Sequence, residues 1–535
     1  MKKILCTLCI AAAFVSCNLD EFPLDKLAPE NYFNNEEELK TFTNTFYQQN
    51  FPEAGAIYSE SADVIIVTTL QSEVSGTRTV VNEGGGWDTG SWQPLTYINN
   101  YLYYSHRCSD TKARERYDGV ARFFRAYFYF LKVRTYGDVP YYDHVLGSTD
   151  ADVYKARDDR GYVMDRVLED FDFAARNLPG TWESGNTRVT KWAALAYASR
   201  AALYEGTFRK YHGMADADKY LRQAAATAKE FITDSPFYLY EEGTEPYREL
   251  FYSENAKTCE VVLCRRYDKA FGISHSVPYN IKFGRTSLTR RFMNHYLMAD
   301  GSRFTDKEGW ETMPYSEETQ GRDPRMAQTV LCPGYKQVEA TTVTRNTLSS
   351  HTGYEPIKFV GTAANSTTSG AASSDWILMR AAEVYLNYAE AANEAYGPDG
   401  QAPGAAMTAL EALNTVRSRV GMPAVLDAYT TDRDALRPRI KNERAVELCF
   451  EGYHYYCDIR RWKDAPSIHR TRLTGMRVTK LKAGATAQYP TGFRYERFEL
   501  PSNRQIAWKN DGMYYVQFQT SDLLKMKNYV PNEAW

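Results

Sequence analysis

The chain has 535 residues, 43% of them hydrophobic and 24% charged, which is ample material for a large folded core. Its 64 basic and 67 acidic residues leave a net charge of -3, too balanced a field to gather DNA, RNA or acidic membranes, so nucleic acid is not expected as a partner. Beyond the N-terminus no stretch approaches the roughly 18 uncharged apolar residues that a spanning helix needs.

In chain order the first element is a targeting segment, read as a signal peptide over 1–16. Lys2 and Lys3 form its positive start, and Ile4 to Val15 its short apolar run. The run ends in Phe14-Val15-Ser16-Cys17, which resembles a lipobox, so Cys17 is expected to be lipidated and to become the first residue after cleavage. The polar, Pro-containing stretch from Asn18 to Asp25 reads as the start of a flexible tether. Several attached acyl chains hold a protein to a membrane without any spanning helix.

Helical periodicity of 3.6 residues then predicts helices over 120–134, 160–177, 189–205 and 216–232. The Ala-rich runs at 193–198 and 224–226 let such helices approach closely. Residues 235–375 lack sustained periodicity and are rich in Gly, Ser, Thr, Pro and Tyr, which predicts loops, short strands and isolated helices. A helix is predicted over 376–396, stopped by Gly397-Pro398, and another over 405–420, stopped by Gly421 and Pro423. Residues 465–535 read like 235–375. Paired helices with alternating Ala and aromatic positions are similar to tetratricopeptide repeats, although no strict 34-residue period can be traced.

Six cysteines lie beyond the signal, at 108, 259, 264, 332, 449 and 457, with no zinc-like spacing. Free thiols are one reading, and pairing of Cys259 with Cys264 or Cys449 with Cys457 is another. No HExxH, His/Cys cluster, GxSxG elbow or phosphate loop is present, so neither a metal site nor a cofactor is expected, and the chain does not read as an enzyme.

Three blocks carry a family resemblance: Ile377 to Ala391, Leu413 to Pro423, and Ile440 to Leu448 running through Phe450-Glu451-Gly452 to Asp458-Ile459-Arg460-Arg461-Trp462. Weaker echoes are Arg125 to Phe130 with Tyr136-Gly137-Asp138-Val139-Pro140, Asp300-Gly301, and Arg322-Asp323-Pro324-Arg325-Met326. On these residues the chain resembles the SusD/RagB family of nutrient-binding outer-membrane lipoproteins. The family's C-terminal segment is recognisable only in Glu499-Leu500-Pro501 and Arg504-Gln505-Ile506, and Pro438 stands where members continue a helix, so the helix is read from 440. Glu443, Arg444, Glu447 and Glu451, three and four residues apart, read as an interlocking set of ion pairs on one helix rather than as catalytic groups.

The resemblance implies a mostly α, SusD-like fold, with degenerate tetratricopeptide-type helix pairs carrying a large irregular, loop-rich region with short strands. It implies a lipidated tether over 17–40 and a single domain over 41–535. The scaffold is expected at about 41–234 and 376–464, and ligand-binding loops at about 75–92, 235–375 and 465–535. It further implies a non-catalytic, surface-exposed glycan-binding protein, anchored in the outer membrane, that delivers oligosaccharide to a SusC-like TonB-dependent transporter. Asp20 and Glu21 are similar to an acidic export signal of surface lipoproteins. A peptide- or protein-binding scaffold is the alternative, and a glycoside hydrolase is a more remote one.

A sugar offers apolar C–H faces and a rim of hydroxyls, so its site needs flat aromatics with polar neighbours. The chain holds 9 Trp and 41 Tyr. Trp87 lies in the glycine-rich loop Asn82 to Gly90, a setting where core burial is hard to arrange, and the resemblance implies that the loop before Trp92 contributes to a glycan site. Trp87, Asp88 and Asn82 are therefore the first candidates. Tyr279, Phe283 and Arg285 in one irregular segment, and Trp310 and Tyr315 in another, follow.

Overall fold

The computed structural model describes residues 32–55, 64–67, 70, 72–77, 86–147, 149–284, 286–344, 350–490, 492–526, 528–530 and 532. Cys17, Asn82 and Arg285 lie outside them. The first helix, α1 (Glu36–Asn50), starts where the Asn35 side chain accepts from the Glu38 amide, and Glu36, Glu37 and Glu38 favour its positive end. It buries Leu39 and Phe46, and Phe33 before it is already in the core.

Five longer helices follow: α2 (Thr89–Tyr104), α3 (Thr111–Tyr136), α4 (Arg160–Asn177), α5 (Lys191–His212) and α6 (Ala217–Asp234). In the C-terminal half come α7 (Ala381–Tyr396), α8 (Ala409–Ser418), α9 (Arg433–Glu447) and α10 (His454–Arg461). Successive helices pack side by side, α3 on α4, α4 on α5 and α5 on α6, and α7 returns to lie against α6. Small residues permit this spacing. Gly206 on α5 is in van der Waals range of α6, where a Cβ would stand 2.8 Å from the Leu221 amide nitrogen.

The strands are short and paired: β1 (Ile65–Ile66) with β3 (Ser287–Leu288), β2 (Val261–Arg265) with β4 (Trp376–Arg380), and β5 (Thr474–Lys480) with β6 (Phe493–Glu499), all antiparallel. The predicted helix over 376–396 is therefore corrected at its start. Residues 376–380 extend because β2 offers a ladder partner, with Arg265 opposite Trp376 and Val261 opposite Arg380. The reading of α9 from 440 is corrected as well. Asp432 caps the helix by accepting from the amides of Asp434 and Ala435, and Pro438 costs one hydrogen bond in the second turn while Leu436 and Ile440 are buried.

The acidic residues of α9 pair across elements rather than along the helix, which corrects the expectation of ion pairs on one helix. Glu443 meets Arg325 and Arg417, and Glu447 meets Arg325, Arg380 and Arg419. Arg380 also holds Glu260 at 2.8 Å and Glu451 at 2.6 Å, and Lys358 holds Glu451 at 2.7 Å. These groups are almost wholly buried, and the arginines around Glu447 hold its carboxyl well below the usual carboxylate range against the opposing effect of burial. The six described cysteines form no disulfide with one another. No helix among the described residues is long and apolar enough to cross a membrane.

Candidate functional site

A cleft of about 1140 Å³ opens where three segments meet: the start of α2, residues 140–154, and residues 522–529. Asp88 begins α2 by accepting from the Ser91 amide at 3.1 Å and the Ser91 hydroxyl at 2.8 Å, and those bonds hold its exposed carboxyl below its ordinary range. The cap fixes where Trp92 and Asn99, one and three turns on, face the cleft. Asn99 donates to the carbonyls of Tyr142 (3.0 Å) and His144 (3.1 Å), which pins the second wall. Tyr129 on α3 reinforces it, its hydroxyl accepting from the Tyr142 amide at 2.6 Å.

The C-terminal segment forms the third wall and is tied down by side chains. Asn528 donates to the Tyr154 carbonyl at 2.6 Å, Asn532 to the Tyr136 carbonyl at 3.1 Å, and Arg157 to Asn532 Oδ1 at 2.8 Å.

Trp87 is the floor of this cleft and is only 5% exposed. It stands edge-to-face with Trp92, Tyr136 and Phe518 at centroid distances of 4.9, 4.8 and 4.6 Å, and its Nε1 donates to Met526 Sδ at 3.0 Å. The expectation that its loop would keep it out of the core is corrected. From Gly86 the chain enters an aromatic cage that distant residues 518 and 526 complete. Gly86 has φ +87°, and a Cβ there would meet the Tyr136 hydroxyl at 2.8 Å.

Lys132, buried on α3, donates to the Gly86 carbonyl and lies 4.8 Å from the Trp92 ring centre. Burial pulls its ammonium down to about 8, with Asp88 opposing.

Above the floor, Trp92 is half-buried, Tyr154 is 54% exposed and Leu524 is 78% exposed. Burial pushes the Tyr142 phenol up to about 12, so it remains a neutral hydroxyl donor and acceptor. Asn99 Oδ1 is buried without a hydrogen-bond partner among the described residues and lines the cleft. Aromatic faces thus alternate with amide, hydroxyl, imidazole and carboxylate groups in a concave site, the composition that binds ligands with apolar faces and polar rims.

Of the sequence candidates, Trp87 and Asp88 line this cleft. Tyr279 and Phe283 lie on a short helix, Val277–Phe283, rather than in an irregular segment; their rings are 4.9 Å apart and Phe283 is 53% exposed. Trp310 is half-buried against Phe304, with Arg290 over its ring at 4.9 Å. Tyr315 is buried and donates to the Leu331 carbonyl, so its ring offers no face to solvent. None of these four lines the Trp87 cleft. Sequence reading missed Tyr142 and Tyr154, and although it expected ligand-binding loops over 465–535 it named no residue of the 522–529 wall, because no local signal links segments nearly 400 residues apart. Among the described residues no group of three or more His, Cys, Asp or Glu side chains is placed to hold a metal ion.

Comparison with known proteins gives two family matches. The model described as the SusD family matches residues 262–535, and the model described as starch-binding, associating with outer membrane, matches residues 19–203. SusD-like protein P2 of Formosa agariphila is 23% identical over 491 residues, covering 86% of this chain and 91% of that protein. A SusD-like protein from Bacteroides fragilis superposes with a TM-score of 0.75 at 22% identity, covering 96% of this chain and all of the other. A SusD-like carbohydrate-binding protein from the same species superposes with a TM-score of 0.72 at 20% identity, over 93% of this chain and 99% of the other. These two structures share the fold.

Proposed function

The chain belongs to the SusD family, whose model matches more than half of it, and from that premise we propose that it captures a glycan in the Trp87 cleft. The observation that carries the proposal is the cleft itself: half-buried Trp92 and exposed Tyr154 over an aromatic floor, with Asn99, Tyr142 and His144 offering hydrogen bonds. Trp and Tyr faces stack on the C–H faces of sugar rings, and the polar groups meet the hydroxyls. One similar structure is that of a carbohydrate-binding protein and one matching family is described as starch-binding, both in agreement with this reading. The proposal is for binding without a chemical step on the glycan.

The finer parts of the reading rest on the family resemblance. The protein is lipidated at Cys17, sits on the outer face of the outer membrane, and hands its oligosaccharide to a SusC-like TonB-dependent transporter. The family model's association with outer membrane supports the location, and the lipobox-like Phe14 to Cys17 supports the anchor.

The informative variant is Tyr154→Ala, because Tyr154 is exposed and its loss leaves the core intact, whereas Trp87 is packed and its loss lowers stability and affinity together. Calorimetric titration against a glycan panel, starting with α- and β-glucans, is expected to find a ligand whose binding Tyr154→Ala weakens by about 1–3 kcal/mol, by analogy with stacking of a base on an aromatic ring. Unchanged affinity in Tyr154→Ala together with loss in Phe283→Ala would move the site to the Tyr279–Phe283 helix. Binding of peptides but of no glycan would sink the glycan reading.

A further inference from the structure

Apart from the residues that line the cleft, four polar side chains from separate segments are buried together: Arg460 on α10, His469 at the end of the short helix Ala465–His469, Trp508 in a loop, and Tyr514 in the turn Asp511–Tyr514. Each is at least nine-tenths buried. Trp508 is central, its ring centre 5.9 Å from that of His469, 4.8 Å from that of Tyr514 and 5.5 Å from the Arg460 guanidinium carbon.

Six of their polar atoms have no hydrogen-bond partner among the described residues: Arg460 Nε and Nη2, both ring nitrogens of His469, Trp508 Nε1 and the Tyr514 hydroxyl. Native proteins leave few such atoms unpaired, and a cluster of them marks a bound ion or water.

Donors outnumber acceptors in the set. Trp508 Nε1 and the two free Arg460 nitrogens only donate, and the hydroxyl and the imidazole each add one donor. Arg460 keeps one contact to the Tyr456 carbonyl at 3.2 Å and stacks on the Tyr456 ring at 3.4 Å, but among the described residues no carboxylate pairs with it. A guanidinium stays charged in a protein interior, and a buried charge without a counter-charge is costly.

The nearby charged groups do not supply one. Asp464 is committed to Lys441 at 2.7 Å, Asp511 is exposed at the surface, and Arg291 and Arg470 add positive charge. Burial, with Arg460 and Arg291, drives the His469 imidazole down to about 2, so it stays neutral.

We propose that Arg460, His469, Trp508 and Tyr514 form a closed binding site for one small monovalent anion of halide size, which joins α10 to the C-terminal segment. One uncompensated positive charge calls for one negative charge, and near-complete burial of all four side chains calls for a small ion. Neutral water would satisfy the donors but leave the charge.

The test uses the full chain, with thermal unfolding followed as sodium gluconate is exchanged for sodium chloride or bromide at constant ionic strength. The melting temperature is expected to rise with halide, as it does for any ligand bound only by the folded state. Trp508→Phe, which removes one donor while keeping an aromatic ring, and Arg460→Met are expected to lose most of that rise. Crystals soaked in bromide are expected to give an anomalous peak beside Arg460. Equal melting in halide and gluconate, with no anomalous peak there, overturns the proposal and assigns the donors to buried water. If Arg460→Met does not fold, the wild-type soak and Trp508→Phe decide the matter.

Discussion

Lys132 is a single ammonium held against four aromatic rings, with the Gly86 carbonyl as its hydrogen-bond acceptor and no ion pair among the described residues. Its charge is attracted to the faces of Trp92 and its neighbours, yet burial still costs more than these contacts return, and its pKa drops from 10.5 to about 8. The sign of the pH effect follows. Between about 8 and the unfolded value the unfolded chain holds a proton that the folded chain has released, so folding stability from this group rises as pH rises through that window. Urea unfolding is expected to show the wild type gaining up to roughly 3 kcal/mol relative to Lys132→Met between neutral pH and about pH 10. Parallel pH profiles for the two proteins would mean that Lys132 is not perturbed in this way.

At the scale of elements, the family blocks turn out to build a lattice of buried ion pairs. Arg380 ends β4, and its guanidinium reaches Glu260 beside β2, Glu447 on α9 and Glu451 just beyond α9. One side chain thereby holds the small sheet to the helical half. A buried pair is weak support for stability when replaced as a whole, but removal of one partner leaves charges without compensation. Arg380→Met is therefore expected to destabilise the fold by about 3–5 kcal/mol, read by chemical denaturation. A loss below about 1 kcal/mol, the size of an exposed pair, would show that water reaches these carboxylates.

For the whole molecule, the proposed anchor and the folded body are separable. Phe33 and α1 open the core, and Cys17 precedes them by a polar stretch. Cys17→Ala is expected to melt like the wild type while losing palmitate labelling and membrane association. Labelling that persists in the variant would refute lipidation at Cys17.

What the sequence determined by itself was the family, the helical scaffold and its spacing, because these rest on local periodicity and on contiguous blocks such as 377–391 and 440–462. Amphipathic stripes and Gly-Pro stops act within a few residues, so α4 and α6 fall close to where periodicity puts them. Tertiary structure alone decided whatever depends on a partner remote in the chain. Residues 376–380 are a strand because β2 lies beside them. Glu443 and Glu447 pair with Arg325, Arg380, Arg417 and Arg419 rather than along their own helix. The cleft is the clearest case. The glycine-rich setting and the family resemblance marked Trp87 and Asp88, but whether an indole in such a loop faces solvent depends on what arrives from residues 136, 518 and 526, and burial is a property of the assembled packing rather than of the loop.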